Sequence, residues 1–463
     1  MSKLKILLLF PALMILTLNA NSATLEKLSL KQAIDYTLTA NPQIKESKNS
    51  LLSSQSRLLI ASHQMSSSAG ADSTLRDNAF TNSTQARAFG RWEYFNFGGT
   101  TASIDLTPFA DGNSNTGVNF QLRKPFGRGS GYLSDRGYSL LNAQSNLSVQ
   151  QNQTFLSRQG AVLAVVRSYF NAVLAREQIS VQEKALATTK QQAIDAKKRS
   201  DAGLIAEIEV SRAEIQVAQS EEALNQRVQS AKAALDNLLL NIGEGMGQTP
   251  ELVDSIPEVE AAPVVPEQDA ALKVAMVNRK QLINYDIQLS DQQRSLEIVS
   301  DQLKPSIDAI ANFNTSGRQN NNQNIFDNKD LTVGLQYSIP LDKKIIQEQR
   351  KMSERELELL TQLRSFEVDQ VNNDVRNAYR SLDSAKASLN ILGQNLQTAK
   401  NNLSMAQRMV EEGLSSNREV LDAQESLRSV ESGILSARVN YYLAALNVKD
   451  AMGEDLIETV FFK

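Results

Sequence analysis

The stretch that decides the fold is Ala406-Gln407-Arg408-Met409-Val410-Glu411-Glu412-Gly413-Leu414, followed by Glu419-Val420-Leu421-Asp422-Ala423. Apolar residues recur at alternating spacings of three and four on both sides of Gly413, from Val368 to Val410 and from Val420 to Ala451. A period of about 3.5 residues keeps an apolar seam facing a partner helix. Glycine ends a helix without steric cost. We therefore predict a long helical hairpin whose tip is Gly413.

The same hairpin occurs a second time, earlier in the chain. Subtracting 210 from the numbering places Gly203 opposite Gly413 and Gly243 opposite Gly453 without a gap. The tip segment after Gly203 also matches, since Val210 takes the place of Val420. Chance similarity between helices would not keep the tip glycines and the end glycines in register. We infer an internal duplication of one structural unit.

The composition is that of a folded protein directed out of the cytoplasm. The chain has 463 residues, 41% of them hydrophobic and 22% charged, and no cysteine. Two lysines precede an apolar run from residue 6 to residue 18, and Asn21-Ser22-Ala23 offers small residues for cleavage, so we predict a signal peptide at residues 1–23. Its removal takes two lysines from 48 basic residues and leaves 46 against 52 acidic ones. A net charge of −6 is too mild to imply a nucleic-acid partner.

Changes of pattern divide the rest of the chain. The first unit, residues 24–243, has helices broken at Pro42, a strand region at about 66–131, a long helix and a return helix. A linker with four prolines and several acids follows at residues 244–267. The second unit, residues 268–453, starts with one helix at about 269–302 and has its strand region at about 305–341. Residues 454–463 are a C-terminal tail.

The strand regions have the pattern of membrane strands. After the signal peptide no run of about 18 apolar residues remains for a transmembrane helix, so the mature chain would cross a membrane only as strands in a closed barrel. The second strand region alternates apolar residues with Thr332, Gly334, Gln336 and Ser338. Its length and period of two match a strand with one face toward lipid and one toward a wet lumen. The predicted lipid face is Leu331, Val333, Leu335, Tyr337 and Ile339. A soluble hairpin is the alternative.

Aromatic residues concentrate in the first strand region. They are Trp92, Tyr94, Phe95, Phe97 and Phe109. Rings of aromatic residues at the lipid interface are typical of membrane strands, and an ordinary packed hairpin is the alternative. The glycines from Gly127 to Gly131 lack the lysine of a phosphate loop and indicate a turn.

The repeated order of helix, strand hairpin, very long helix, glycine tip and return helix resembles the TolC-type outer-membrane efflux and secretion channel family. The resemblance covers essentially all of the mature chain. It is carried by Leu30 to Ala33, Asn41-Pro42, Pro125-Phe126, Pro340-Leu341 and the two tip segments. It implies a mainly α fold with a transmembrane β-barrel, in which a homotrimer shares long coiled-coil hairpins as a periplasmic α-barrel. Two strand pairs per subunit would give twelve strands.

The resemblance also implies a function and a location. Such proteins are exit ducts of the cell outer membrane that extend into the periplasm. They conduct substrates of drug efflux, metal efflux or type I protein secretion, which a periplasmic adaptor and an inner-membrane transporter deliver. The tip residues Gly203, Leu204, Gly413 and Leu414 match the family's adaptor-docking surface. Outer-membrane lipids would surround the strands.

The resemblance places a pore gate at the periplasmic entrance. Family carboxylates six and nine residues after the second tip glycine correspond to Glu419 and Asp422, and three copies of each would favour cations. The alternative is a solvated helix flank. The first unit has Glu209 but Arg212 at the matching positions. The family's latch arginine and tyrosine are not matched at Ser415 and Val410, and the long first strand region suggests an inserted hairpin around Phe89 to Phe109.

Catalysis finds little support in the sequence. His63 is the only histidine, there is no cysteine, and no nucleophile–base pair stands out, so we predict no enzyme activity, no cofactor and no metal site. The alternative function is a periplasmic coiled-coil scaffold or adaptor without a pore. A scaffold has no reason to present lipid-facing apolar strands, and this feature separates the two hypotheses.

Overall fold

The structure is a computed structural model. It describes residues 26–64, 68–78, 83–110, 116–243, 249–317, 328–412, 414–415 and 417–461. The predicted signal peptide and the tip residue Gly413 lie outside these ranges. None of the helices within them is long and apolar enough to cross a membrane.

The helices occur in two sets of matching length. The first set is α1 (Leu30–Ala40), α2 (Pro42–His63), α3 (Asp135–Asp201) and α4 (Glu207–Ile242). The second set is α5 (Gln268–Asn278), α6 (Lys280–Asp301), α7 (Lys344–Glu411) and α8 (Asn417–Ala451), and a short α9 (Leu456–Phe461) follows them. α3 and α7 have 67 and 68 residues, so each is roughly 100 Å long at about 1.5 Å per residue.

Side chains at the helix starts explain where the short helices begin. Ser29 and Gln32 form a capping box at the start of α1, and the Asn41 side chain accepts hydrogen bonds from the first turn of α2. Pro42 is the first residue of α2, where no backbone donor is needed. The single helix predicted at about 269–302 is wrong in one respect. Arg279 adopts an extended conformation and separates α5 from α6, as Asn41 separates α1 from α2.

Six long strands form one antiparallel sheet. They are β2 (Ser68–Asn78), β3 (Ser83–Phe95), β4 (Thr101–Ala110), β5 (Thr116–Gly127), β7 (Ser306–Gly317) and β8 (Asn328–Ser338), paired in that order. The prediction of two strand pairs per chain is therefore wrong, because six strands form the sheet. The inserted hairpin was anticipated, but it extends the common sheet, because β3 pairs with β4 from Arg87 opposite Ala110 to Phe95 opposite Thr101.

The segment predicted as a linker is packed against the helices. Two short strands, β1 (Lys27–Leu28) and β6 (Glu251–Leu252), pair in parallel. Asp254 accepts hydrogen bonds from the Leu30 amide and the Tyr169 hydroxyl, both at 2.7 Å. Burial, and next the hydrogen bond to Asp254, raise the pKa of Tyr169, so its hydroxyl remains a donor. The core around Tyr169 joins α1, α3, α4 and α8.

Candidate functional site: helical tips and sheet faces

The first hairpin tip is closed by backbone hydrogen bonds around Gly203. The Leu204 amide donates to the Arg199 carbonyl at 2.9 Å, and the Gly203 amide donates to Ser200 at 2.8 Å. Gly203 has φ +71° and open space where a Cβ would stand. This pairing is the Schellman motif, which requires a left-handed residue after the helix. The sequence signal, a lone glycine between two seams, therefore identified the turn correctly.

The second tip repeats the same bond. The Leu414 amide donates to the Met409 carbonyl at 2.8 Å, 210 positions after the equivalent pair. Leu204 is 73% exposed and Leu414 is 70% exposed. Each tip therefore presents an apolar side chain to solvent. Their role in docking stays a prediction, and Gly413 itself lies outside the described residues.

Glu419 and Asp422 lie in the first turns of α8, directly after the second tip. The Ser415 hydroxyl donates to a Glu419 carboxylate oxygen at 2.5 Å. Asp422 lies 4.0 Å from the Arg418 guanidinium, and these side chains are 76% and 86% exposed. An ion pair this exposed contributes little. Both carboxylates therefore remain accessible to ions, and their role as a gate stays a prediction.

The equivalent turn of the first hairpin has a different charge arrangement. Glu209 lies 2.6 Å from Arg212, which occupies the position of Asp422. The negative charge of Glu209 is thus locally balanced by a cation three residues away. The two hairpins of one chain consequently differ in charge just behind their tips.

A buried polar link joins the two hairpins, and sequence reasoning missed it. The Gln182 amide on α3 donates to the Ser220 carbonyl and hydroxyl on α4, both at 3.2 Å. Arg428 on α8 donates to the Gln182 carbonyl oxygen at 2.5 Å. A cavity of about 280 Å³ lies beside this link. A comparison of the repeats could have revealed this link, because the second repeat has the apolar Leu392 at the position of the polar Gln182.

The register of the sheet separates an apolar face from a polar face. One row of directly opposed residues crosses all six strands. Directly opposed residues share a face, and every second residue along a strand returns to it. The row consists of Ala69, Trp92, Ile104, Phe120, Phe313 and Leu331.

The predicted lipid-face residues of β8 belong to this apolar face. Leu331, Val333, Leu335 and Tyr337 are 62–76% exposed, and Ile339 follows the strand at 47%. Between them lie Thr332 and Gln336, opposite Asn312 and Asp308 of β7. The alternation that predicted two faces is therefore present, whereas contact with lipid stays a prediction.

Aromatic side chains gather on the apolar face at the end of the sheet nearest the helices. Trp92 and Tyr94 stack with ring centroids 6.3 Å apart, and Phe97 in the following turn is exposed. The prediction for Phe95 is wrong, because it lies on the opposite face, is buried, and packs under the Arg136 guanidinium. The period of two along β3 separates Phe95 from Tyr94. The Phe109 side chain lies outside the description.

The polar face carries paired charges. Arg91 lies 2.7 Å from Asp105, and Arg123 lies 2.7 Å from the nearly fully buried Asp308. The Arg123 guanidinium compensates the lost hydration of this carboxylate at Oδ2, whereas the buried Oδ1 has no hydrogen-bond partner among the described residues. Charged groups of both signs lie on one face, and the opposite face is mainly aliphatic and aromatic but carries Lys124 and Lys329. Such a division is typical of a strand between water and lipid.

Comparison with known proteins agrees with this geometry. Residues 271–454 match the family model described as outer membrane efflux protein. The matched segment spans nearly all of the second repeat. Over 333 residues it is 23% identical to outer membrane protein TolC of Escherichia coli strain K12, a match that spans 68% of this chain and 65% of TolC, just under two thirds.

Solved structures share the whole fold. A crystal structure of CusC superposes with a TM-score of 0.70 at 13% identity and covers 93% of both chains. VceC from Vibrio cholerae gives 0.67 at 15% identity, over 92% of this chain and 96% of that one. CmeC from Campylobacter jejuni gives 0.67 at 12%, over 92% and 86%. The chain is a TolC-like protein of the outer membrane whose helices extend into the periplasm.

Proposed function

We propose that the chain is one subunit of a trimeric exit duct that conducts substrates from a periplasm-spanning pump complex across the outer membrane. The observation that carries the proposal is the union of two features in one chain. A sheet with an apolar face and a charged face continues directly into helical hairpins roughly 100 Å long. The sheet suits a lipid–water boundary, and the hairpins suit a tunnel through the periplasm.

In this proposal three copies close their sheets into a barrel with the apolar face outward. Leu331, Val333, Leu335, Tyr337 and Ile339 then contact lipid, and the charged face lines the lumen. Closing the sheet satisfies the backbone groups of its edges, which lipid cannot do. The duct itself carries out no chemistry, and the energy for transport comes from an inner-membrane transporter.

The helical tips form the periplasmic entrance. Exposed Leu204 and Leu414, each next to a tip glycine in the sequence, offer apolar contacts to a periplasmic adaptor. Behind the second tip, Glu419 and Asp422 of three copies form rings of negative charge around the pore. Such rings favour cations and bind multivalent cations most tightly, because the electrostatic attraction grows with the charge of the ion. Drug efflux, metal efflux and type I secretion are each compatible with such an entrance.

A coiled-coil scaffold without a pore is the competing function. The exposed apolar face of β8 argues against it, because a water-soluble scaffold would leave a continuous aliphatic surface in solvent. In a barrel the same surface is covered by lipid.

Single-channel recording in a planar bilayer tests the proposal. We expect the purified trimer to give small, cation-selective currents that trivalent cations block. Glu419→Ala with Asp422→Ala should raise the blocking concentration about tenfold or more, because each ring loses three charges near the bound ion. Glu209→Ala in the first hairpin is the matched control and should leave the block unchanged.

Three outcomes separate the parts of the proposal. If trivalent cations block the double variant at the same concentration as the parent protein, the gate lies elsewhere and the duct still stands. If Glu209→Ala weakens the block as much as the double substitution does, the effect comes from general surface charge and not from a gate. Folded trimers that never insert into the bilayer contradict the duct and favour the scaffold.

A further inference from the structure

The chain has two lateral margins, each made of a helix and the strand that continues it. Near the sheet the helices lie side by side in the order α2, α3, α6, α7. The strands connected to them lie in the corresponding order β2, β5, β7, β8. α2 therefore runs into β2 at one margin, and β8 runs into α7 at the other. We call these the α2–β2 margin and the β8–α7 margin.

Both margins expose apolar side chains on their helices. On α7, apolar residues recur every seven positions and are 53–66% exposed, namely Ile345, Met352, Leu359 and Phe366. On α2 the exposed apolar residues are Leu52, Leu59 and Ile60, 58–60% exposed. A seven-residue repeat is the spacing of a seam that faces another helix. Neither seam is covered within one chain.

Both margins also carry an open sheet edge. β2 and β8 each have one neighbour in the sheet, β3 and β7 respectively. Unpaired strand edges recruit further strands. β2 runs away from the helices and β8 runs back toward them, so β8 of one copy would meet β2 of the next in antiparallel orientation.

We propose that the α2–β2 margin of one copy joins the β8–α7 margin of the next, so that three copies close an eighteen-stranded ring through β2. The inference rests on the proposed trimer and goes beyond it by naming the two joining surfaces and the strand count. The resemblance to relatives implied twelve strands. Here each copy supplies six.

The stagger of the sheet fits this closure. Ser68 lies at the helix-side end of β2. The row of opposed residues that starts at Ser68 reaches β8 at Thr332, which is six residues away from Ser338, the helix-side end of β8. If the helix-side ends of β8 and the next β2 are level, each copy shifts the register by those six residues over six strands. With about 3.3 Å per residue and about 4.8 Å between strands, the strands tilt by about 35°. Closed barrels tilt their strands by about 35–45°.

Closure through β4 is the rival arrangement, because β4 is parallel to β2 and would give twelve strands. It requires β4 to give up its pairing with β3, which runs without a break from Phe95 opposite Thr101 to Gly90 opposite Leu106 and resumes after a bulge. It would also leave α2, with its exposed seam, continuing into a strand that takes no part in the ring. Closure through β2 brings the helical seams and the strand edges of the same margins together, and for this reason we favour it.

Engineered disulfides distinguish the two arrangements, because the chain has no cysteine of its own. Counted from the helix-side ends, Ala71 of β2 and Ile104 of β4 are both level with Leu335 of β8, and all three lie on the apolar face. Ala71→Cys with Leu335→Cys should form ladders of two and three linked chains after oxidation in membranes. Tyr337→Cys is a second test position on β8, on the same face and two residues nearer the helices. Ile104→Cys with Leu335→Cys is the matched control and should stay unlinked.

The opposite pattern, linkage through Ile104→Cys and none through Ala71→Cys, would overturn the eighteen-stranded ring and leave the trimeric duct standing. Absence of trimers in every variant and in the parent protein would instead contradict the proposed function. If strand variants fail to fold, Leu52→Cys with Met352→Cys tests the helical part of the margins with a bifunctional maleimide. No linkage there, in trimers that form normally, would also refute the proposal.

Discussion

The two repeats have nearly the same helices and different connections. Helices of 11, 22, 67 and 36 residues in the first repeat correspond to 11, 22, 68 and 35 in the second. The first repeat, however, contributes four long strands to the sheet and the second contributes two. The helical scaffold is therefore conserved within the chain, while the strand region and the polar contacts have diverged. Substitutions at equivalent positions of the two repeats measure how much the contributions of these positions to stability differ.

The largest effect is expected at the glycine that ends the return helix. Gly243 has φ +88°, and an added Cβ would lie 2.8 Å from the Asn41 Cα. Gly243→Ala combines about 1–2 kcal/mol for the left-handed conformation with about 1–3 kcal/mol for overpacking against backbone. Gly203→Ala is the control, because it has φ +71° but open space around the Cβ. Thermal unfolding followed by circular dichroism should show the larger loss for Gly243→Ala.

Equal losses for these two variants would mean that the contact with Asn41 contributes nothing. Gly453, the counterpart of Gly243, refines the comparison. Its added Cβ would lie 3.1 Å from the Arg279 amide nitrogen, a looser contact. Gly453→Ala should therefore fall between the other two.

These glycines also mark the limit of what the sequence could predict. A tip at Gly203 and an end at Gly243 follow from local rules, since a helix seam, a glycine and a second seam define a hairpin without tertiary information. The alternation along β8 defined two faces in the same way. The break at Arg279 carries no proline or glycine and was missed. There the backbone of residues 278 and 279 lies close to Gly453, a contact between distant segments that no local pattern predicts.

Contacts between distant segments were beyond the sequence pattern. β5 pairs with β7 across almost 200 residues, and nothing in either strand specifies that partner. Gln182 interrupts an apolar seam, which was visible, but its link to Arg428 depends on how the two hairpins pack. Phe95 was assigned to the aromatic girdle by composition alone, whereas its place in the period of two puts it on the polar face, where it is buried beneath Arg136.

The second prediction compares two equivalent tyrosines. The single hydroxyl proton of Tyr169, in a fully buried position, is donated to the Asp254 carboxylate at 2.7 Å and shared with the Leu28 carbonyl at 3.1 Å. The Tyr379 hydroxyl donates only to the Pro266 carbonyl, at 2.5 Å. Tyr169→Phe should cost about 1–3 kcal/mol, because it takes a donor from the half-buried Asp254 carboxylate and from the buried Leu28 carbonyl. Tyr379→Phe should cost about 0.5–1.5 kcal/mol.

Hydrogen–deuterium exchange reports where the loss occurs. Faster exchange of the Leu30 and Asp254 amides in Tyr169→Phe would show that the hydroxyl fixes residues 249–256 against α1 and α3. Unchanged protection there, with the same overall stability, would mean that the Leu30 amide and Arg176 hold Asp254 without the tyrosine hydroxyl. Tyr379→Phe should leave these amides unaffected.

The smallest effect is expected at Asp450, whose counterpart in the first repeat is the exposed Leu240. Burial, opposed by Arg279 and reinforced by Asp374, raises the pKa of Asp450 above 3.8. A raised folded-state pKa favours the protonated form, so this group stabilises fully below the unfolded pKa, and that contribution is lost as pH rises through the folded pKa. Asp450→Asn, neutral at every pH, should therefore raise the melting temperature at neutral pH, and the gain should disappear near pH 3.8.

Asp374→Asn is the control for that experiment and should have the opposite sign. Asp374 lies 2.7 Å from Arg279, and its loss leaves the largely buried guanidinium without its ion-pair partner. A melting temperature of Asp450→Asn that stays at the parent value at neutral pH would mean that Arg279 fully compensates the second carboxylate. The two acids would then share one cation, and the divergence between Leu240 and Asp450 would carry no energetic difference between the repeats.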